Sequence, residues 1–207
     1  LKIDPLERVA RLIRAKPTRK RELDARLPEG QFLTEKFPVL SYGPTPKIDL
    51  KTWRLRLTGL VEQERELDWN EFTALPTTTI EADIHCVTRW SKLDTVWEGV
   101  ALRDLALKAK PRPAARFVMQ HSYGGYTTNL PLDEIVDEDV ILAHRFDSAP
   151  LTPEHGGPVR VVVPKLYFWK SAKWVNQLEF LPEDAPGFWE GYGYHNHGDP
   201  WKEERFG

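Results

Sequence analysis

The chain has 207 residues, of which 41% are hydrophobic, 29% charged and 11% aromatic, with a formal net charge of -2 and a single cysteine. A chain of this size buries roughly 70% of its extended surface, so one globular domain, or two small ones sharing a core, is the expectation, and the aromatic and charge content argues against disorder. One cysteine excludes an intrachain disulfide framework, an all-thiolate zinc site and an iron–sulfur cluster, and the near-neutral charge gives no reason to expect nucleic acid or an anionic membrane as partner.

The first predicted element runs from Asp4 to Ala15, where Leu6, Val9, Leu12 and Ile13 recur at helical spacing. Lys16-Pro17 ends it, because a residue before proline avoids the helical region. Residues 1–36 carry ten Lys/Arg against six Asp/Glu, and the basic arm reads as a solvated helix face. The chain therefore divides into a basic amphipathic helix and linker over 1–29 and a globular domain over 30–207. Trp53 to Leu57 alternates apolar and basic residues and reads as a half-buried strand. Thr77 to Cys86 does the same, with Ile80, Ala82, Ile84 and Cys86 on one face and Thr79, Glu81, Asp83 and His85 on the other.

Val100 to Lys108 reads as a short helix ending before Pro111. Further strands are predicted at 116–120, 126–130, 140–143, 159–163 and 177–181, each rich in β-branched or aromatic residues and bounded by Gly, Pro or Asp. The aromatic tail from Pro182 to Gly207 is too apolar to stay solvated and is expected to fold back over the body. No run approaches the roughly 18 apolar residues of a membrane span, and no apolar signal region opens the chain. The expectation is a cytoplasmic protein as the chain stands, or a periplasmic one if a leader has been removed. Four Asn, four Gln, one Met and one Cys beside 17 Pro hint at a thermophile.

Four stretches carry chemistry. Ile84-His85-Cys86-Val87-Thr88-Arg89-Trp90-Ser91 takes a thiol from a strand end into a polar loop. A buried cysteine is more often an inert hydrophobe, but Arg89 and Lys92 favour thiolate and keep a metal ligand or nucleophile open. Between His155 and Lys173, five potentially cationic side chains interleave with Tyr167, Phe168 and Trp169. That pattern suits a ligand with a phosphate at one end and a heteroaromatic ring at the other, although a solvated strand and loop would also produce it. Gln120 to Tyr126 is a turn rich in hydrogen-bonding groups, and His195-Asn196-His197 beside Asp199 is a weak divalent-metal candidate. The acidic cluster from Asp133 to Asp139 lacks the ligand pattern of a calcium loop and reads as solvated. The motifs of dinucleotide folds, P-loops, zincins and serine hydrolases are absent.

His155-Gly-Gly-Pro-Val-Arg160-Val-Val-Val-Pro164, followed by Ser171-Ala172-Lys173-Trp174, closely resembles the H-G-x-P-V-R-x-V-V-P…K-W signature of the sulfite oxidase family of molybdopterin enzymes. The likeness extends to Cys86-Val-Thr-Arg-Trp-Ser91, to Val96-Trp-Glu-Gly-Val-Ala-Leu102, to Phe37-Pro-Val-Leu and to the Gly-Tyr-His-Asn…Asp-Pro-Trp tail, and covers about residues 30–205. Within the family the chain is most similar to the single-domain catalytic subunits of bacterial methionine sulfoxide reductase systems.

The resemblance implies an α+β, mostly β catalytic domain with mixed sheets and a few short helices, holding molybdenum–molybdopterin with one pyranopterin dithiolene per chain. It implies Cys86 as the thiolate ligand of the metal, and His155, Arg160, Ser171, Ala172 and Lys173 as contacts to the pterin and its phosphate. His121 and Tyr42 match less certain cofactor contacts. Tyr194 matches the tyrosine that faces the metal, and Arg89 stands near it as a second substrate-binding candidate. Sulfite oxidases share an arginine-rich anion pocket, whereas here Val39-Leu40-Ser41-Tyr42 and Ser91 occupy the corresponding stretches. Fewer fixed cations favour reduction of a sulfoxide or N-oxide by oxygen-atom transfer over oxidation of sulfite. The implied partners are a small oxo-substrate and an electron-transfer partner, since the chain holds no second redox centre. The rivals are a sulfite-type oxidase, a non-catalytic pterin-binding module and a Cys86–His85 hydrolase.

Overall fold

A computed structural model describes residues 23–207; the helix expected over Asp4 to Ala15 and most of the basic arm lie outside the described residues. Two sheets organise the chain. The first contains β1 (Phe32–Leu33), β4 (Thr78–His85), β5 (Trp90–Ala101), β8 (Ile141–Phe146), β9 (Ala149–Pro150) and β10 (Arg160–Val162), with β5 at its centre. The second runs in the order β3 (Arg65–Asp68), β2 (Arg54–Gly59), β11 (Val175–Leu181), β6 (Phe117–Ser122) and β7 (Thr127–Pro131). Within it β2 and β11 pair in parallel and every other neighbour is antiparallel, so the sheet is mixed. Among the described residues the strands are accompanied by the short helices α1 (Trp69–Thr73), α2 (Leu102–Ala109), α3 (Leu132–Ile135) and α4 (Phe188–Gly191).

Each predicted strand forms, within one to three residues at its ends, because alternation matches a sheet with one face on the core. In β2, Leu55 and Leu57 are fully buried with Trp53, while Arg56 between them stays exposed. Each such leucine contributes about 1.5–3 kcal/mol by leaving water. Helix α1 starts on a capping box, in which the Glu71 N–H donates to Asp68 Oδ1 and the Asp68 N–H donates to Glu71 Oε2, both at 2.9 Å.

The core divides into two clusters. Trp53, Leu57, Phe72, Leu105, Val161 and Phe180 belong to the larger, and Ile84, Cys86, Trp90, Trp97, Ile141 and Val162 to the smaller. Strand β10 separates them: Val161 and Val162 face opposite sides, and both are buried, which explains the uninterrupted run Val161-Val162-Val163. Gly99 makes the tightest crossing, since a Cβ there would stand 2.2 Å from the Leu142 carbonyl oxygen.

Two readings change. Strand β5 is the longest element, yet only a motif was expected there, and it forms because Thr95, Trp97 and Gly99 are buried on alternate positions. His85, expected on the polar face of its strand, is buried. The β4 register shifts between Ala82 and Ile84, and His85 Nδ1 then lies 2.8 Å from Ser91 Oγ.

Candidate active site

Strands β4 and β5 are joined at the hairpin turn Cys86-Val87-Thr88-Arg89-Trp90. The Cys86 N–H donates to the Trp90 carbonyl and the Arg89 N–H to the Cys86 carbonyl, each at 2.9 Å, and Arg89 adopts a left-handed φ of 78°. This is a three-residue hairpin loop that ends in a left-handed residue. It fixes the Cys86 backbone at the strand end and leaves the side chain 7% exposed, with Sγ 3.1 Å from Thr88 Oγ1. Gln31 Nε2 adds a 3.0 Å bond to the Cys86 carbonyl. Burial pushes the thiol up, against the pull of Thr88 and of the Arg205 and Arg160 charges.

Cys86 lines a cavity of about 340 Å³, and two cations line it too. Arg160 and Lys173 form an antiparallel bridge, so residues thirteen apart in sequence stand side by side. Gly156 permits the approach: its φ is 108°, and a Cβ there would stand 3.0 Å from Arg160 Cβ and 3.1 Å from Lys173 Cβ. Arg160 is 1% exposed and donates to the His155 carbonyl at 3.0 Å and the Ser171 carbonyl at 2.9 Å, with Phe168 packed 4.0 Å from its guanidinium. Lys173 Nζ donates to Leu40 O and Ser41 Oγ at 2.8 Å and to Glu154 O at 2.6 Å.

Among the described residues neither cation forms an ion pair, and no carboxylate lines the cavity. Burial pulls Arg160 down to about 9, and burial together with Arg160 pulls Lys173 down to about 7. A charge buried without a counter-charge is costly, so the pair calls for an anion in the cavity. The chemistry of the donor set, two cations beside one thiol, fits a phosphate-bearing cofactor whose metal takes a thiolate.

Three aromatic side chains also line the cavity, Trp169 from one segment and Trp189 and Tyr194 from a second. Tyr194 stacks on Trp189 at 5.1 Å and meets Trp169 edge-on at 5.1 Å. A buried ion pair ties these segments together. Lys170 Nζ donates at 2.8 Å to each of Glu190 Oε1, Asn129 Oδ1 and the Asn196 carbonyl, and Glu190 Oε1 also accepts from Trp169 Nε1 at 3.0 Å. Three acceptors around one nitrogen match an ammonium group.

Tyr42, Ser171 and Tyr194 line the cavity with Cys86, Arg160 and Lys173. His155 lies behind the lining: Phe37 stacks on it at 4.0 Å, and its Nε2 is 3.1 Å from the Phe37 carbonyl. Ala172 is buried behind Ser171, and its N–H donates to Gln120 Oε1 at 3.1 Å. Two candidates are not brought to the cavity. The left-handed turn leaves Arg89 exposed, off the cavity wall and beside Gly30. His121 sits on β6 with Nε2 2.8 Å from Glu179 Oε2, away from the lining. Its neighbour Gln120 faces inward and holds Lys170 O and Ala172 N. Gln120, Lys170 and Trp169 lie in the chemistry-bearing stretches of the sequence without a marked role there, and Glu190 carries no local signal.

Residues 42–189 match the profile of the Oxidoreductase molybdopterin binding domain. The chain belongs to the sulfite oxidase family of molybdopterin oxidoreductases. The oxidoreductase is 47% identical over 190 residues to the uncharacterized oxidoreductase YuiH of Bacillus subtilis, covering 91% of this chain and 96% of that protein. It is 28% identical over 191 residues to the protein-methionine-sulfoxide reductase catalytic subunit MsrP of Campylobacter jejuni (81% of this chain, 61% of that protein). With the sulfite oxidase of Arabidopsis thaliana it shares 27% identity over 184 residues (72% and 47%), so the chain spans about half of that relative. The sulfane dehydrogenase SoxCD of Paracoccus pantotrophus has the same fold, with a TM-score of 0.62 at 22% identity over 67% of this chain and 40% of that one. Molybdenum–molybdopterin is the cofactor of this enzyme family and of this chain. No helix among the described residues is long and apolar enough to cross a membrane.

Proposed function

We propose that the chain is an oxygen-atom-transfer enzyme that reduces a sulfoxide or N-oxide, with Cys86 as the protein's thiolate ligand to molybdenum. The observation that carries the cofactor placement is Arg160, a buried guanidinium bonded only to carbonyl oxygens and lining the same cavity as the thiol. Its fork is directed by the His155 and Ser171 carbonyls, which leaves its charge for the pterin phosphate, with Lys173 alongside. An anion there would also draw the proton of Lys173 back onto Nζ. His155 and Ala172 act one layer out, holding the Phe37–Tyr42 segment and the Ser171 loop. When bound, the cofactor supplies the two-electron oxygen-atom chemistry.

The remaining wall presents Tyr194. Its Oη makes no hydrogen bond to a described residue, and burial and the nearby Cys86 raise its pKa, so it keeps its proton and can donate to a substrate oxygen. With the phosphate on Arg160 and Lys173, no further cation among the described residues lines the cavity for sulfite, whereas a neutral S=O or N–O group needs only a donor and an apolar surround. The MsrP relative supports the same direction. Arg89 has no part in this reading, nor His121. Reducing equivalents come from an electron-transfer partner. The 30–207 unit suffices for these roles, in the cytoplasm or, with a leader upstream, the periplasm. Scarce Asn and Gln support a thermophilic origin, which a melting temperature above the ~45–65 °C of mesophile domains would bear out.

The test is elemental and kinetic. Protein from a molybdopterin-competent host is expected to carry close to one molybdenum per chain, lost in Cys86→Ser. Stopped-flow absorbance of the dithionite-reduced enzyme should show reoxidation by dimethyl sulfoxide or methionine sulfoxide. Reaction of the oxidised enzyme with sulfite, and none with sulfoxides, overturns the direction.

A further inference from the structure

The last residues of the chain place a cation behind the Cys86 turn. Arg205 Nη1 donates at 2.5 Å to the carbonyl of Val87, the residue after Cys86. The Arg205 side chain is 10% exposed, and its Nε and Nη2 are buried with no hydrogen-bond acceptor among the described residues. The nearest carboxylate, Glu203, stands 3.7 Å from Nε and is half in solvent. The guanidinium instead packs 4.9 Å from the ring of Tyr167. The tail holds it there: the His195 N–H donates to the Arg205 carbonyl at 3.2 Å, and Tyr194 bridges Phe206.

Arg205 is therefore a buried, under-neutralised charge, and it does not line the cavity. A charge so placed is costly unless something nearby is negative. Arg160 shows the same imbalance, but Arg160 faces the cavity, where the proposed cofactor phosphate would match it. What Arg205 faces is the turn that presents the Cys86 sulfur, with Val87 and Thr88 on the cavity wall and Val87 O in its own grip.

We propose that Arg205 is a positioning residue that clamps the Cys86-Val87-Thr88 turn through Val87 O and sets a fixed positive charge behind the thiolate, raising the reduction potential of the metal centre. The inference rests on the reading of Cys86 as the metal's thiolate. A fixed cation in a low-dielectric site favours the more negative, reduced state, and water does not screen it as it does a surface charge. Arg205 touches neither substrate nor cofactor and acts through the turn.

The test uses the holoprotein as purified, with Arg205→Gln and Arg205→Lys alongside. Three quantities are read: molybdenum per chain, the midpoint potential from a mediated redox titration, and the fraction of paramagnetic molybdenum at each potential. Arg205→Gln is expected to keep its molybdenum and to shift the one-electron equilibrium at least tenfold toward the oxidised state, equivalent to about 59 mV. Arg205→Lys, which keeps the charge, is expected to stay within threefold of wild type. A loaded Arg205→Gln protein with the wild-type potential overturns the proposal and leaves the functional reading intact. So does an Arg205→Lys protein shifted tenfold, which decides the matter if Arg205→Gln does not fold. Wild-type protein without molybdenum overturns the functional reading, and this inference with it.

Discussion

Replacing Lys170 by methionine removes the cation from the most enclosed ion pair in the described structure, where the two side chains are 1% and 2% exposed. Glu190 is then left without its counter-ion, which in buried pairs costs about 3–5 kcal/mol. The stranded Asn129 Oδ1 and Asn196 carbonyl add to the loss.

The expected destabilisation at pH 7 is thus about 4 kcal/mol, or roughly 8–16 °C in melting temperature for a chain of this length. The double variant Lys170→Met/Glu190→Leu should recover the part of the loss that comes from the unpaired charge, since an apolar pair of similar volume leaves no ion to desolvate. Urea melts of wild type, single and double variants measure both terms. A single variant that loses less than about 1 kcal/mol, or a double variant no more stable than the single one, would refute the reasoning.

Other outcomes follow from single contacts. The pKa of His197 is raised chiefly by Glu134, at 2.6 Å from Nε2, and also by Glu204. A raised folded pKa gives stability that is complete below the ordinary histidine value near 6.5 and lost as pH rises through the folded value; His197→Asn should flatten that alkaline slope in pH-dependent melts. Arg160→Lys should lower cofactor occupancy while the apo fold persists, because an ammonium cannot span the His155 and Ser171 carbonyls as a planar fork does; phosphate and molybdenum analysis of purified protein reads it. Arg89→Gly should leave turnover unchanged and gain up to about 1 kcal/mol, as glycine accepts the left-handed φ at no steric cost; a large loss of turnover would return Arg89 to the substrate. Asp68→Ala should cost about 1 kcal/mol in chemical denaturation by removing the α1 cap.

Much of the site is legible in local sequence because its chemistry is local. Cys86 ends an alternating strand, so its inward direction follows from period two, and His155 to Lys173 carries glycines and cations at fixed spacing within one segment. Legibility fails where one residue of parity or one turn decides direction. On β6, Gln120 is buried and His121 lies half in solvent on the opposite face, so an uncertainty of one position exchanges a cavity support for a surface ion pair. At Arg89 the left-handed backbone turns a nearby cation away from the metal side.

By itself, then, the sequence determined seven of the strands, the helix after Val100, the family, the thiol and the two cations proposed for the cofactor, because periodicity and short-range spacing encode them. Only the tertiary structure decided which distant groups meet. The bridge between Arg160 and Lys173, the Lys170–Glu190 tie across three segments and the reach of Arg205 back to Val87 depend on chain paths that no local pattern records. Their cost or benefit exists only once water has been removed from around them. The single cysteine was visible at once; the charges arranged around it were not.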